Sequence, residues 1–132
     1  MNLSTMKFRN SLYTVTDQQN AGDTARYIIV LNAEHVIYKA HFPGMPITPG
    51  VCLLQISREL LEDHSGQPLE ITMVKNVKFL SVISPVELPE ITCSLSHISV
   101  AESGVECRAQ ISSTQENQVL AKLSFKCKKR DG

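Results

Sequence analysis

The chain has 132 residues, 42% of them apolar and 20% charged, which suits one ordinary globular domain and excludes a mainly disordered polypeptide. Thirteen Lys and Arg balance thirteen Asp and Glu, so the broad electrostatic pull that a nucleic acid or an anionic membrane surface needs is missing. The longest apolar run, Tyr27 to Leu31, is five residues, far short of the roughly 18 to 20 that a membrane-spanning helix requires.

No repeat or linker divides the sequence, and residues 1–132 are expected to form a single domain. Lys7 and Arg9 are not followed by an apolar stretch of signal-peptide length, so a cytoplasmic protein is expected. In chain order, Thr24 to Leu31 is rich in β-branched and aromatic residues and predicts a strand, and Val36 to Ala40 continues in that style after Asn32-Ala33-Glu34. The period changes at Thr48. Val51, Cys52, Leu53, Leu54, Ile56, Leu60 and Leu61 cover every side of a helix from about Pro49 to about Asp63, so the helix must be wrapped by other structure. Thr48 is placed to cap it, Pro49 suits its first position, and His64-Ser65-Gly66 supplies the stop.

Beyond Pro68 the chain reads as strand. Ile71 to Leu80 comes first, followed by Glu87 to Ser99, in which Ile91, Cys93, Leu95 and His97 share one face. A third strand sets Val105, Cys107, Ala109 and Ile111 inward, and a fourth does the same with Val119, Ala121, Leu123, Phe125 and Cys127. An apolar helix followed by four half-buried strands predicts α+β architecture, a curved antiparallel meander wrapped around one central helix. The four cysteines show no C-x-x-C pair and are expected as reduced core residues.

The chemistry is concentrated in His41-Phe42-Pro43-Gly44-Met45-Pro46-Ile47-Thr48-Pro49-Gly50-Val51. Three prolines leave this loop little freedom of shape. Gly50, having no side chain, would let a ligand approach the backbone, and the amides of Gly50 and Val51 precede the helical hydrogen bonds and can receive a developing oxyanion. The near-neutral imidazole of His41 is a plausible base at the mouth of this loop.

This stretch resembles the active-site motif of the β-hydroxyacyl-acyl-carrier-protein dehydratases, enzymes of the hotdog fold. The likeness extends upstream over Asn32 to Ala40 and downstream to Val77-Lys78-Phe79 and Pro85, roughly half of the chain. It implies a long helix held in a curled sheet, an obligate homodimer with sites at the subunit interface, and a trimer of dimers as a larger assembly. It also implies a substrate carried as a thioester on acyl carrier protein or coenzyme A. By resemblance His41 removes the α-proton, Phe42, Pro43, Gly44, Pro49, Gly50 and Val51 hold the substrate, with the Gly50 amide at the thioester oxygen, and an acid on the helix assists the departing hydroxyl.

At the acid's position this chain has Gln55, and Glu59 stands one turn on, where the family often has glutamine. An amide can orient a hydroxyl but cannot deliver a proton, so Glu59, leaning back over Gln55, is the candidate replacement unless it is a solvated residue paired with Arg58 or a lysine elsewhere. Two other readings stay open: a catalytically degenerate hotdog subunit that binds acyl chains or pairs with an active homologue, and a hotdog thioesterase in which Gln55 positions water. His35, before a strand, and His64, at the helix end, are set aside, and His97 is expected as a core or interface histidine rather than as the lining of an acyl tunnel. The basic run Lys126 to Arg130 is either a solvated tail or a surface for an acidic carrier protein. No metal-ligand cluster or phosphate loop is visible, and no cofactor is expected.

Overall fold

The structure, a computed structural model, describes residues 7–40 and 44–130. They form β1 (Tyr13–Ala21), β2 (Thr24–Leu31), α1 (Val36–Ala40), α2 (Gly50–Ser65), β3 (Leu69–Phe79), β4 (Glu90–Ala101), β5 (Gly104–Ser113) and β6 (Val119–Lys129). All neighbouring strands run antiparallel in one sheet of order β1-β2-β4-β5-β6-β3, wrapped around α2 in the hotdog arrangement. The core forms where Cys52, Leu53, Ile56, Leu60 and Leu61 of α2 meet inward residues such as Ile29, Ile91, Cys93, Leu95, Leu123 and Phe125. Burial of each large aliphatic side chain contributes about 1.5 to 3 kcal/mol. All four cysteines are buried and unpaired.

Several elements differ from the sequence expectation. Val36–Ala40 is a short helix because the His35 Nδ1 accepts the Ile37 N–H at 3.0 Å, capping a turn that buries Ile37 and Tyr38. β1, unanticipated, is a polar edge strand whose bulge between Val15 and Asp17 spoils it as a template for further pairing. The last four strands are not one meander. β3 crosses to the far side and pairs with β6, so the open edges are β1 and β3, while β5 and β6 are interior.

The helix α2 begins one residue later than expected and ends at Ser65. Its N-cap is Pro49, in extended conformation, whose ring offers no acceptor for a side-chain cap, and the Thr48 hydroxyl is engaged with Tyr38 instead of capping. Gly66 closes the helix at φ +72°, with its N–H on the Glu62 carbonyl at 2.8 Å. His97 is exposed rather than in the core: a bulge between Ser96 and Ser99 puts it at φ +52° and reverses the alternation, so that Ile98 packs against the core instead.

Candidate functional site

Two anchors position the start of α2. The Thr48 N–H donates to the Ile83 carbonyl at 2.8 Å, and the Thr48 hydroxyl shares a 2.9 Å hydrogen bond with the buried Tyr38 hydroxyl of α1. Burial pushes the Tyr38 phenol up to about 12, so this group stays a neutral hydrogen-bonding partner. The first helical bond is made by the Cys52 N–H to the Pro49 carbonyl at 3.0 Å, and the Gly50 and Val51 amides come before it. Upstream, Gly44 lies at φ +87°, a conformation that favours glycine. His41, Phe42 and Pro43 lie outside the described residues.

The space left by the missing side chain of Gly50 is occupied by this chain's own Phe79. A Cβ built there would fall 2.8 Å from Phe79 Cε2 and nearer still to Cζ. We expect Gly50→Ala to lower the melting temperature, and Phe79→Ala in the same background to relieve the collision. A double-mutant cycle read by thermal denaturation should show a coupling of about 1 kcal/mol. A melting temperature for Gly50→Ala equal to that of the wild type would show that the half-exposed ring swings aside without cost.

One face of α2 is not covered by the sheet. Val51, Leu54, Gln55, Arg58 and Glu62, at positions i, i+3, i+4, i+7 and i+11, share one side of the helix and, with Ile71 and Val74 of β3, line a cavity of about 740 Å³, a size suited to a small organic ligand. Val51 is 52% exposed, so the helix is not wrapped on all sides as its apolar pattern suggested. The cavity is apolar toward the helix start and polar further on. There Arg58 donates to Glu62 Oε1 at 2.9 Å and to the Leu69 carbonyl at 3.2 Å.

Gln55 and Glu59 are both buried and face one another, Gln55 Nε2 donating to Glu59 Oε2 at 3.1 Å. Glu59 is therefore not a solvated residue. Its Oε2 also accepts the Phe8 N–H at 2.8 Å, and its Oε1 accepts the Arg9 N–H at 2.9 Å and the Tyr13 hydroxyl at 2.8 Å. Arg58 Nη2 stands 3.9 Å away, a minor partner beside these. Burial, and then the adjacent Glu59 charge, push the Tyr13 phenol far up, so it remains a donor.

The structure thus brings Val51, Gln55 and Glu59 together on the cavity wall, whereas Gly50 turns its Cα toward Phe79, on another side of α2. Three participants went unrecognised in the sequence. Arg58 carried a signal in its spacing from Val51, Leu54 and Gln55, whereas nothing in the sequence pairs Tyr13 or Phe79 with α2. Cys52 is no competing nucleophile, since burial raises its thiol to about 11. Burial lowers the pKa of His35, and His64 contacts Asn20 Oδ1 at 2.8 Å and the Gly22 carbonyl at 3.2 Å. Much of the basic run is matched by acidic neighbours: Lys126 lies 3.8 Å from Glu106, Lys128 3.5 Å from Glu70 and Arg130 3.8 Å from Glu62.

A family model described as ApeI-like, ApeI dehydratase, matches residues 17–124. No curated protein matches the chain. Among solved structures, the dehydratase heterocomplex ApeI:P from Xenorhabdus doucetiae is similar at 17% identity and a TM-score of 0.68, over 88% of this chain and 97% of that one. The E. coli PaaI protein, from the phenylacetic acid degradation operon, is similar at 10% identity and 0.63, over 95% and 84%. A hypothetical thioesterase from Streptococcus pneumoniae gives 10% and 0.61, over 91% and 92%. At such identities these structural likenesses speak to the fold.

Proposed function

Because the chain belongs to the ApeI-like dehydratase family, we propose that it removes water from a β-hydroxyacyl thioester, carried on acyl carrier protein or coenzyme A, in fatty acid or related lipid or polyene synthesis. The observation that supports this most is Gln55, set on the wall of a cavity that begins at the exposed start of α2. His41, which directly follows α1 in the sequence, takes the α-proton. The Gly50 and Val51 amides hold the thioester oxygen as enolate character develops. The carbon–oxygen bond at the β-carbon then breaks, and the hydroxyl, oriented by Gln55, takes up the proton that His41 removed and leaves as water, which returns the imidazole to its neutral form. The acyl chain lies along Val51, Leu54, Ile71 and Val74.

The protein acts in the cytoplasm as a dimer, and three dimers form the larger assembly. Support for a partner comes from the open β3 edge, where Met73 and Val74 are 53% and 44% exposed. A second reading, a subunit that works beside an active hotdog partner, is favoured by the amide at position 55, and the likeness to a heterocomplex gives it a precedent.

One assay separates these readings and the thioesterase alternative. Purified protein incubated with a β-hydroxyacyl carrier-protein thioester should yield enoyl absorbance. Release of free acid instead would identify a thioesterase. Turnover only after addition of a second hotdog chain would identify the dependent subunit, and the proposed dehydration by this chain alone would then be wrong.

A further inference from the structure

Glu59 stands where the family resemblance expects an amide, and Gln55 where it expects an acid. The hydrogen bonds give this exchange a physical reason. A carboxylate offers two oxygens with about four acceptor positions and no donor. Among the described residues four donors converge on Glu59: the Phe8 and Arg9 amides, the Tyr13 hydroxyl and Gln55 Nε2. An amide at 59 would turn its own NH2 group toward at least one of them. With a carboxylate fixed at 59, the side chain one turn earlier is best a donor, because two carboxylates in contact repel. Glu59 only accepts, so the nitrogen of the Gln55 amide must face it, which settles the direction of the amide on chemical grounds.

We infer that Glu59 is a positioning residue: it holds the Gln55 amide in one orientation on the cavity wall and ties that orientation to the Phe8–Tyr13 segment. The inference rests on the reading of Gln55 as the group that meets the substrate hydroxyl. Glu59 itself acts behind Gln55 rather than on the substrate. The exchange of residues is then a coherent pair, not the loss of an acid.

Side-chain amide NMR and kinetics test this together. In the wild type one Gln55 amide proton should exchange slowly with solvent. That protection should survive Tyr27→Phe, which removes a hydroxyl that donates to Asp63 and not to Glu59, and vanish in Glu59→Gln. With a β-hydroxyacyl thioester, Glu59→Gln should lower kcat by about 10²-fold, the scale of a small misplacement of a reacting group, with KM within about threefold. Tyr27→Phe, which removes a buried hydroxyl outside the site, should lower the melting temperature but leave kcat within about twofold.

Glu59→Asp, which keeps the charge but draws it out of reach of Gln55, serves the same purpose where Glu59→Gln does not fold. Wild-type kcat in the Glu59 variants would overturn the inference. So would kcat losses that track the melting temperature in all variants, or a wild-type Gln55 amide that exchanges as fast as an exposed glutamine. If the wild type turns over no thioester, the functional reading fails, while the exchange measurement still decides whether Glu59 holds Gln55.

Discussion

Glu59→Ala should cost about 3 to 5 kcal/mol of stability, the range for breaking a buried charged interaction from one side. The substitution strips the acceptor from Phe8, Arg9, Tyr13 and Gln55 together. Each buried donor left without a partner costs about 1 to 3 kcal/mol, less whatever water recovers. Thermal and urea denaturation should show a melting temperature lower by roughly 10 to 20 °C for a chain of this length. Restoring the family order with Gln55→Glu and Glu59→Gln together should not recover it, because the Phe8 and Arg9 amides need the carboxylate at 59. A loss below about 1 kcal/mol in Glu59→Ala would mean that solvent replaces the carboxylate at little cost.

The second large effect concerns turnover. His41→Ala should reduce enoyl formation by about 10²- to 10⁴-fold, the usual contribution of a positioned general base. Circular dichroism verifies that the variant is folded. Since the base acts in the chemical step, kcat should carry the loss and KM should change little. Retention of wild-type kcat would remove His41 from the mechanism and leave the Gly50 amide and Gln55 without a base to serve.

Much of the architecture is legible in the amino-acid pattern. Leu53, Ile56, Leu60 and Leu61 recur at helical spacing, Pro49 and Gly66 bracket them, and the alternation through β4, β5 and β6 marks the buried face. The limits have physical causes. β1 is polar because it is an edge, so its composition resembles a loop. The helix α1 forms because the His35 ring caps the Ile37 N–H, a local bond that outweighs the β-branched character of Val36 and Ile37. The bulge that turns His97 outward inserts residues into a pattern otherwise faithful to alternation.

At the candidate site, the motif from Gly44 to Val51 and the Gln55–Glu59 pairing were legible, because residues four apart on a helix share a face. The burial of Glu59 was not. Two of its partners are backbone amides, of Phe8 and Arg9, and every residue but proline carries one, so no letter in the sequence marks them. The ring of Phe79 over Gly50 was equally hidden, since it depends on where β3 lies.

The placement of β3 also bears on how the molecule is made. Ile71 pairs with Cys127 and Leu69 with Lys129, so this strand, though it can rest on α2, has no strand to pair with until β6 leaves the ribosome. Such distant pairing slows folding and lengthens the exposure of sticky intermediates. During that wait, Met73, Val74 and Phe79 are where a nascent polypeptide is most open to aggregation and most in need of a chaperone.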